Sequence, residues 1–365
     1  MLDTLPSPPL LTLHPGTALP VARYRFTFRM RDPLRLPEFA GSLIRGQFGA
    51  SLRATACMTG APVCPGCPLY RTCPYPAIFE TPAPETHSLQ RFSQVPNPYV
   101  IEPPPLGRRF VAAGETVSFH VVLIGRALGQ LPLIAYAFQR AFERGVGKLR
   151  ARGCIEDIAF VGAGLKPAPT NCAIKRPNGP SPFEARPAEE AGLAPQGDGC
   201  GQSVWDSERS RLAPHEPTLT VPRFSGVGAI TLKITTPLRL QSQGHPVPQE
   251  KLRPRMLFTA LLRRASLLLE LHAGLPPVGA QASRLAAAAE RLTDERSLQW
   301  KDWTRFSSRQ KHAMTLGGVV GEWRLSGDLE ELLPWFWLGQ WLHVGKETTM
   351  GMGKYSIVSL EGGDG

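Results

Sequence analysis

Between residues 162 and 222 the sequence carries ten prolines and seven glycines in 61 positions, with few aromatics and little periodicity. Such a stretch cannot bury enough apolar surface to hold a fold of its own, so it reads as a linker or disordered insertion. It separates two patterned halves, 1–161 and 223–365, and a chain of 365 residues suits two domains. In the first half VARYRFTFRMR at 21–31 alternates bulky with basic residues, the mark of a half-buried strand with a positive outer face. Phe39, Leu43, Ile44, Phe48 and Leu52 then recur at helical spacing between Pro37 and Cys57. Strands are expected at 98–102 and 116–125, a helix at 131–144 ending in the GVGK glycines, and a short closing strand at 159–161.

The second half repeats this logic. A strand is expected at 227–236, an amphipathic helix at 251–272, and an Ala-rich helix at 279–293. A strand at 318–325, a short helix at 327–341, a glycine-rich run and a final strand at 355–360 follow. The order β–α–β–β–α–β is the ferredoxin-like pattern, so the expected fold is α+β with two tandem ferredoxin-like domains.

Lys plus Arg exceeds Asp plus Glu by 41 to 30, a net charge of +11, which points to a polyanion such as nucleic acid. With 42% hydrophobic and 19% charged residues the chain is globular rather than disordered. No run of about 18 apolar residues suggests a membrane span. The N-terminus MLDTLPSPPLLTLHPG lacks the basic start and apolar core of a secretory signal, so a cytoplasmic protein is expected. In that compartment seven cysteines indicate metal binding or buried thiols rather than a disulfide framework.

Three segments carry candidate chemistry. Cys57, Cys64, Cys67 and Cys73 lie in one short loop rich in proline and glycine. Four thiolates there suit a structural zinc ion, with an iron–sulfur cluster as the alternative and four unliganded thiols as the bland one. With four ligands no coordination position stays open for catalysis. The loop HVGKETTMGMGK holds Gly345, Gly351 and Gly353 beside Lys346 and Lys354, so backbone N–H groups and ammonium charges are available to phosphates. It lacks the GK[ST] ending of a nucleotide P-loop. The run TRFSSRQKHAMTLGG gathers Arg305, Arg309, Lys311 and His312, a mixture that suits RNA phosphates and bases, or else a solvated charged turn.

The runs FAGSLIRGQFGASLRATACMTG…CPGCPLYRTCPYPAIFETP, FSSRQKHAMTLGGVVGEW and WLHVGKETTMGMGKYSI resemble the CRISPR-associated endoribonucleases of the RAMP superfamily, the sixth Cas family. The resemblance spans both halves in order, apart from 162–222. It implies paired ferredoxin-like domains and an RNA-binding role for the glycine-rich loop. It further implies cleavage of CRISPR repeat RNA without a metal, the 2′-hydroxyl attacking the adjacent phosphate to leave a cyclic phosphate. A catalytically silent relative would instead bind the guide RNA within an effector complex. The family often places a histidine on or beside the first helix, and residues 37–57 hold none. The expected catalytic residues are therefore His343, His312 and Arg45, acid and base unassigned between the histidines, with Arg53, two helical turns beyond Arg45, as a phosphate ligand.

Overall fold

The computed structural model describes residues 10–85, 95–161, 201–209, 211–307 and 312–362, with backbone alone for 303–307 and 312–316. The first half contains β1 (Val21–Met30), β2 (Leu34–Leu36), α1 (Gly41–Ala56), α2 (Pro74–Phe79), β3 (Tyr99–Glu102), β4 (Arg109–Val111), β5 (Thr116–Ile124), α3 (Leu131–Arg144) and β6 (Gly153–Phe160). Its sheet runs β3-β5-β1-β6, extended at the edge by β7 (Gln202–Ser203), with antiparallel pairing throughout. The second half contains β8 (Val227–Leu238), α4 (Pro254–Ala273), α5 (Gln281–Glu290), β9 (Thr293–Ser307), β10 (His312–Ser326), α6 (Leu333–Leu342) and β11 (Tyr355–Gly362). Its sheet runs β9-β10-β8-β11, also antiparallel. Numbered within each half, both sheets share the order 2-3-1-4, the split β–α–β arrangement expected from the sequence.

The alternation in β1 does what period two requires. Tyr24, Phe26, Phe28 and Met30 are buried on one face, where α1 and α3 supply Phe48, Phe138 and Phe142. Phe28 stacks on Phe142 at 3.8 Å between ring centroids and Phe48 on Phe138 at 4.5 Å. In the second half α6, LPWFWLGQWL, is buried at every position. A helix apolar all round lies inside a core, and this one packs against α4 and β11. No helix among the described residues is long and apolar enough to cross a membrane.

Two expectations need correction. Residues 201–222 are not a free linker: β7 extends the first sheet, Leu219 and Val221 are buried, and Thr220 pairs with Ala18. There His215 Nε2 lies 2.7 Å from the Tyr24 hydroxyl, tying this return segment to β1. Residues 162–200 lie outside the described residues. The basic segment 304–318 is not a simple turn, because most of it belongs to a long hairpin in which β9 and β10 pair from Thr293↔Ser326 to Ser307↔His312. The neighbouring β8 follows β10 only as far as Leu238↔Val319. The hairpin therefore runs on past the sheet for roughly 20 Å.

Candidate nucleic-acid interface

Helix α1 faces an open groove with a volume of about 2670 Å³. Small residues let its surroundings come close. A Cβ on Gly41 would overlap the Met350 carbonyl of the glycine-rich loop, and one on Gly49 would overlap the Phe79 ring of α2. Between them Arg45 lies over Phe79, 4.5 Å from the ring centroid. Its Nε is buried without a hydrogen-bond partner among the described residues. The Arg45 guanidinium and Thr349 flank the hydroxyl of Tyr99, whose pKa burial pushes up. Arg35, Arg53, Arg108 and Lys148 line the same groove, against the carboxylates Glu38, Glu80 and Asp302. Glu38 is bridged by Lys301 at 3.5 Å, and Glu80 accepts from the Tyr75 hydroxyl at 3.2 Å.

The sequence singled out Arg45 and Arg53, and both line the groove. Arg53 also holds the cysteine loop against α1, because its Nη2 donates to the Pro62 carbonyl at 2.8 Å and to that of Ala61. Arg35, Arg108 and Lys148 went unnoticed. Lys148, following the glycines of GVGK, had the clearest signal of the three.

The glycine-rich loop joins the two halves. Gly345, Gly351 and Gly353 have φ of 94°, 93° and 69°, the left-handed region that glycine enters without strain. Side chains there would strike the carbonyls of Arg239, Ile101 and Val344 respectively. Gly351 thus packs against the end of β3, across the domain seam. Lys346 is exposed and free to meet solvent or ligand. Lys354 is committed elsewhere: its Nζ donates to Glu102 Oε2 at 2.7 Å.

Glu102, 1% exposed, is the centre of a buried charge cluster. Arg23 donates to it at 2.7 Å, and His343 Nε2 lies 3.4 Å away. Burial opposes its ionisation, yet Lys354 and Arg23 hold its carboxyl well below the usual range. His343, expected as a catalytic residue, is 0% exposed, with Nδ1 3.1 Å from the Met352 carbonyl. That burial removes it from the reach of RNA at the surface and makes it a residue of the domain seam. Burial also lowers its pKa, against the pull of Glu102. His312 and Arg305 lie on the part of the hairpin that extends beyond β8, while Arg309 and Lys311 fall outside the described residues. The same hairpin carries Asp302, which reaches the groove.

Burial lowers His272 as well, to about 4. Both histidines have folded pKa values below their unfolded ones, so their contribution to stability is complete above about pH 6.5 and declines as pH falls. Glu102 adds a further loss below about pH 4.5, as pH drops toward its depressed folded value. Thermal unfolding followed by circular dichroism should show a midpoint that falls steadily from pH 7 to pH 5. His272 alone is worth about 3 kcal/mol once pH reaches its folded value. A flat profile across that interval would contradict the buried neutral histidines.

The expected zinc or iron–sulfur knuckle is not shown: among the described residues the four cysteines are not grouped to hold a metal ion. The Thr59 hydroxyl stands 3.9 Å from Cys57 Sγ and 3.4 Å from Cys67 Sγ, and Cys73 Sγ faces the Ala56 carbonyl at 3.8 Å. Cys64 and Cys73 pack against the apolar core of the first half. The Gly60 backbone N–H lowers the Cys57 pKa, while burial raises that of Cys64. Among the described residues no group of three or more His, Cys, Asp or Glu is placed to hold a metal ion.

Two split β–α–β sheets thus meet at a seam closed by a glycine-rich loop, with a cationic groove along the first helix. Residues 232–355 match the family described as CRISPR-associated endoribonuclease Cas6, and residues 19–170 match a family described as an N-terminal domain. The second half of the chain therefore resembles the CRISPR-associated Cas6 endoribonucleases. It is similar in fold to a Cas6 product complex (TTHB231), with a TM-score of 0.51 and 13% identity over 93% of this chain and 99% of that one. The Thermus thermophilus Cas6 (TTHB231) gives a TM-score of 0.46, at 13% identity over 93% of this chain and 98% of that one. A partial Cas6-RT-Cas1–Cas2 complex gives 0.50, at 14% identity over 97% of this chain and 47% of that one. No curated protein matches the chain.

Proposed function

We propose that this protein is a metal-independent endoribonuclease that cuts CRISPR precursor transcripts within their repeats to release guide RNAs. The observation that carries the reading is the cationic groove along α1, where Arg35, Arg45, Arg53, Arg108 and Lys148 outnumber three carboxylates. In the reaction the 2′-oxygen bonds to the neighbouring phosphorus as its proton leaves to a base. The bond to the 5′-oxygen breaks, and that oxygen takes up a proton. Negative charge grows on the equatorial oxygens between these events, and fixed guanidinium donors stabilise it most. Arg45 is the donor set for this: its aromatic seat on Phe79 fixes the guanidinium at the wall of the groove. Lys346 and the hairpin bearing Arg305 and His312 are further RNA contacts, and Arg309 and Lys311 are RNA contacts expected from the sequence. His312 is the remaining candidate for proton transfer.

A second reading has its own support: no histidine is found among the described residues lining the groove. A protein that binds the guide RNA and keeps it, as part of an effector complex, needs the cations and not the acid and base. Labelled repeat RNA incubated with the protein in EDTA separates the two. A single cut leaving a 2′,3′-cyclic phosphate is the expected result. Tight binding without cleavage selects the binding protein, and neither binding nor cleavage by folded protein overturns both.

A further inference from the structure

We propose that Phe110 is a stacking platform for an unpaired RNA base at the mouth of the α1 groove. The inference rests on the RNA-handling function above and adds to it a contact outside the groove. Strands β2 and β4 form a two-stranded ribbon with the register Leu34↔Val111, Arg35↔Phe110 and Leu36↔Arg109. Residues directly opposite in an antiparallel pair project from the same face. Leu34 and Val111 are buried on the inner face, 1% and 8% exposed, and they satisfy the ribbon's need for packing. Arg35 and Phe110 share the outer face, and the Phe110 ring is 61% exposed. No packing demand of the fold accounts for an aromatic at that position.

The surroundings of the ring indicate what it meets. Arg35 beside it lines the groove, as do Arg108 and Lys148. The turn bearing Lys148 is seated on the same ribbon, since a Cβ at Gly147 would lie 3.8 Å from the Arg35 carbonyl oxygen. Leu149, next in that turn, is itself 61% exposed. Arg109, one residue before the ring, is exposed but alternates to the other face of the ribbon, opposite Leu36. An apolar ring beside the Arg35 cation, at the edge of a groove that Arg108 and Lys148 also line, suits a single strand, whose phosphates pair with the charges while a base covers the ring. Because the groove leads onto this patch, an RNA strand leaving the scissile position along the Arg35–Arg108 side arrives over Phe110.

The test uses the full-length protein and two probes: a labelled repeat RNA and an unstructured oligouridine. Phe110→Ala is expected to weaken binding of both by about 5- to 100-fold, the range for loss of one base–aromatic stack. Its single-turnover cleavage rate at saturating protein should stay at the wild-type value, and Phe110→Trp should bind as wild type or better. Unchanged affinity in Phe110→Ala for both probes would overturn the proposal, as would equal loss in the alanine and tryptophan variants. Should wild type bind oligouridine but leave repeat RNA uncut, the nuclease reading fails while the stacking contact is still judged by its own variants.

Discussion

Arg45→Ala is expected to slow repeat cleavage by about 10²- to 10³-fold in single-turnover assays, the usual cost of removing one preorganised donor from a developing anion. The size follows from how the guanidinium is held. It lies over the Phe79 ring, beside the Tyr99 hydroxyl, on a helix whose start is locked against the glycine-rich loop. Little reorganisation is then needed as the phosphorane forms. The substitution is made at the groove wall, so the melting temperature should change little, and circular dichroism checks that. Arg45→Lys keeps the charge and loses the planar fork, so it should recover only part of the rate. A rate within about threefold of wild type for Arg45→Ala, on folded protein, would remove Arg45 from the chemistry and favour the guide-binding reading.

The second large effect is on folding. Glu102→Gln preserves shape and removes the carboxylate charge that pairs with Arg23 and Lys354 in the seam. Breaking a buried ion cluster by deleting one partner leaves uncompensated charge in a dry site, at a cost of about 3–5 kcal/mol. Urea unfolding should show that loss, and it should be visible as reduced expression. Lys354→Met is the informative companion. Lys354 retains 23% exposure, and its removal leaves Glu102 still paired with Arg23, so its cost should be well below that of Glu102→Gln. Equal costs would mean that the cluster acts as one inseparable unit rather than as a buried pair with a half-exposed third member.

Much of the architecture was legible because its signals are local. Period-two burial in β1, helical spacing in α1 and α3 and the glycine-rich return before β11 each depend on neighbours a few residues apart. The hairpin of β9 and β10 was not legible in the same way. Its outer part has no sheet beneath it, so Lys301, Asp302 and Arg305 sit in a strand without an apolar face to announce it. Among the site residues, Arg45 and Arg53 were found from their spacing on one helix. His343 was chosen for its place beside the glycine-rich loop, and its role changed once burial was visible. The residue that explains that burial, Glu102, comes from the other domain, 241 residues away. A carboxylate ending the apolar strand YVIE was the only hint. The cysteine spacing suggested a cage, but spacing says nothing of where the sulfurs point, and Thr59 stands between two of them.

The glycine-rich joint also sets an order of events during synthesis. Lys354 and Glu102 are separated by 252 residues, and Gly351 closes on β3 across a similar interval. Domains fold as units from the N-terminus while the ribosome is still translating. The first sheet can therefore be complete, with Arg23 and Glu102 already paired, long before the loop that covers them has been made. Throughout that interval the edge of β3 faces solvent or a chaperone rather than its partner. A pause late in translation would lengthen the exposure, and the yield of native protein should depend on how quickly the last residues emerge.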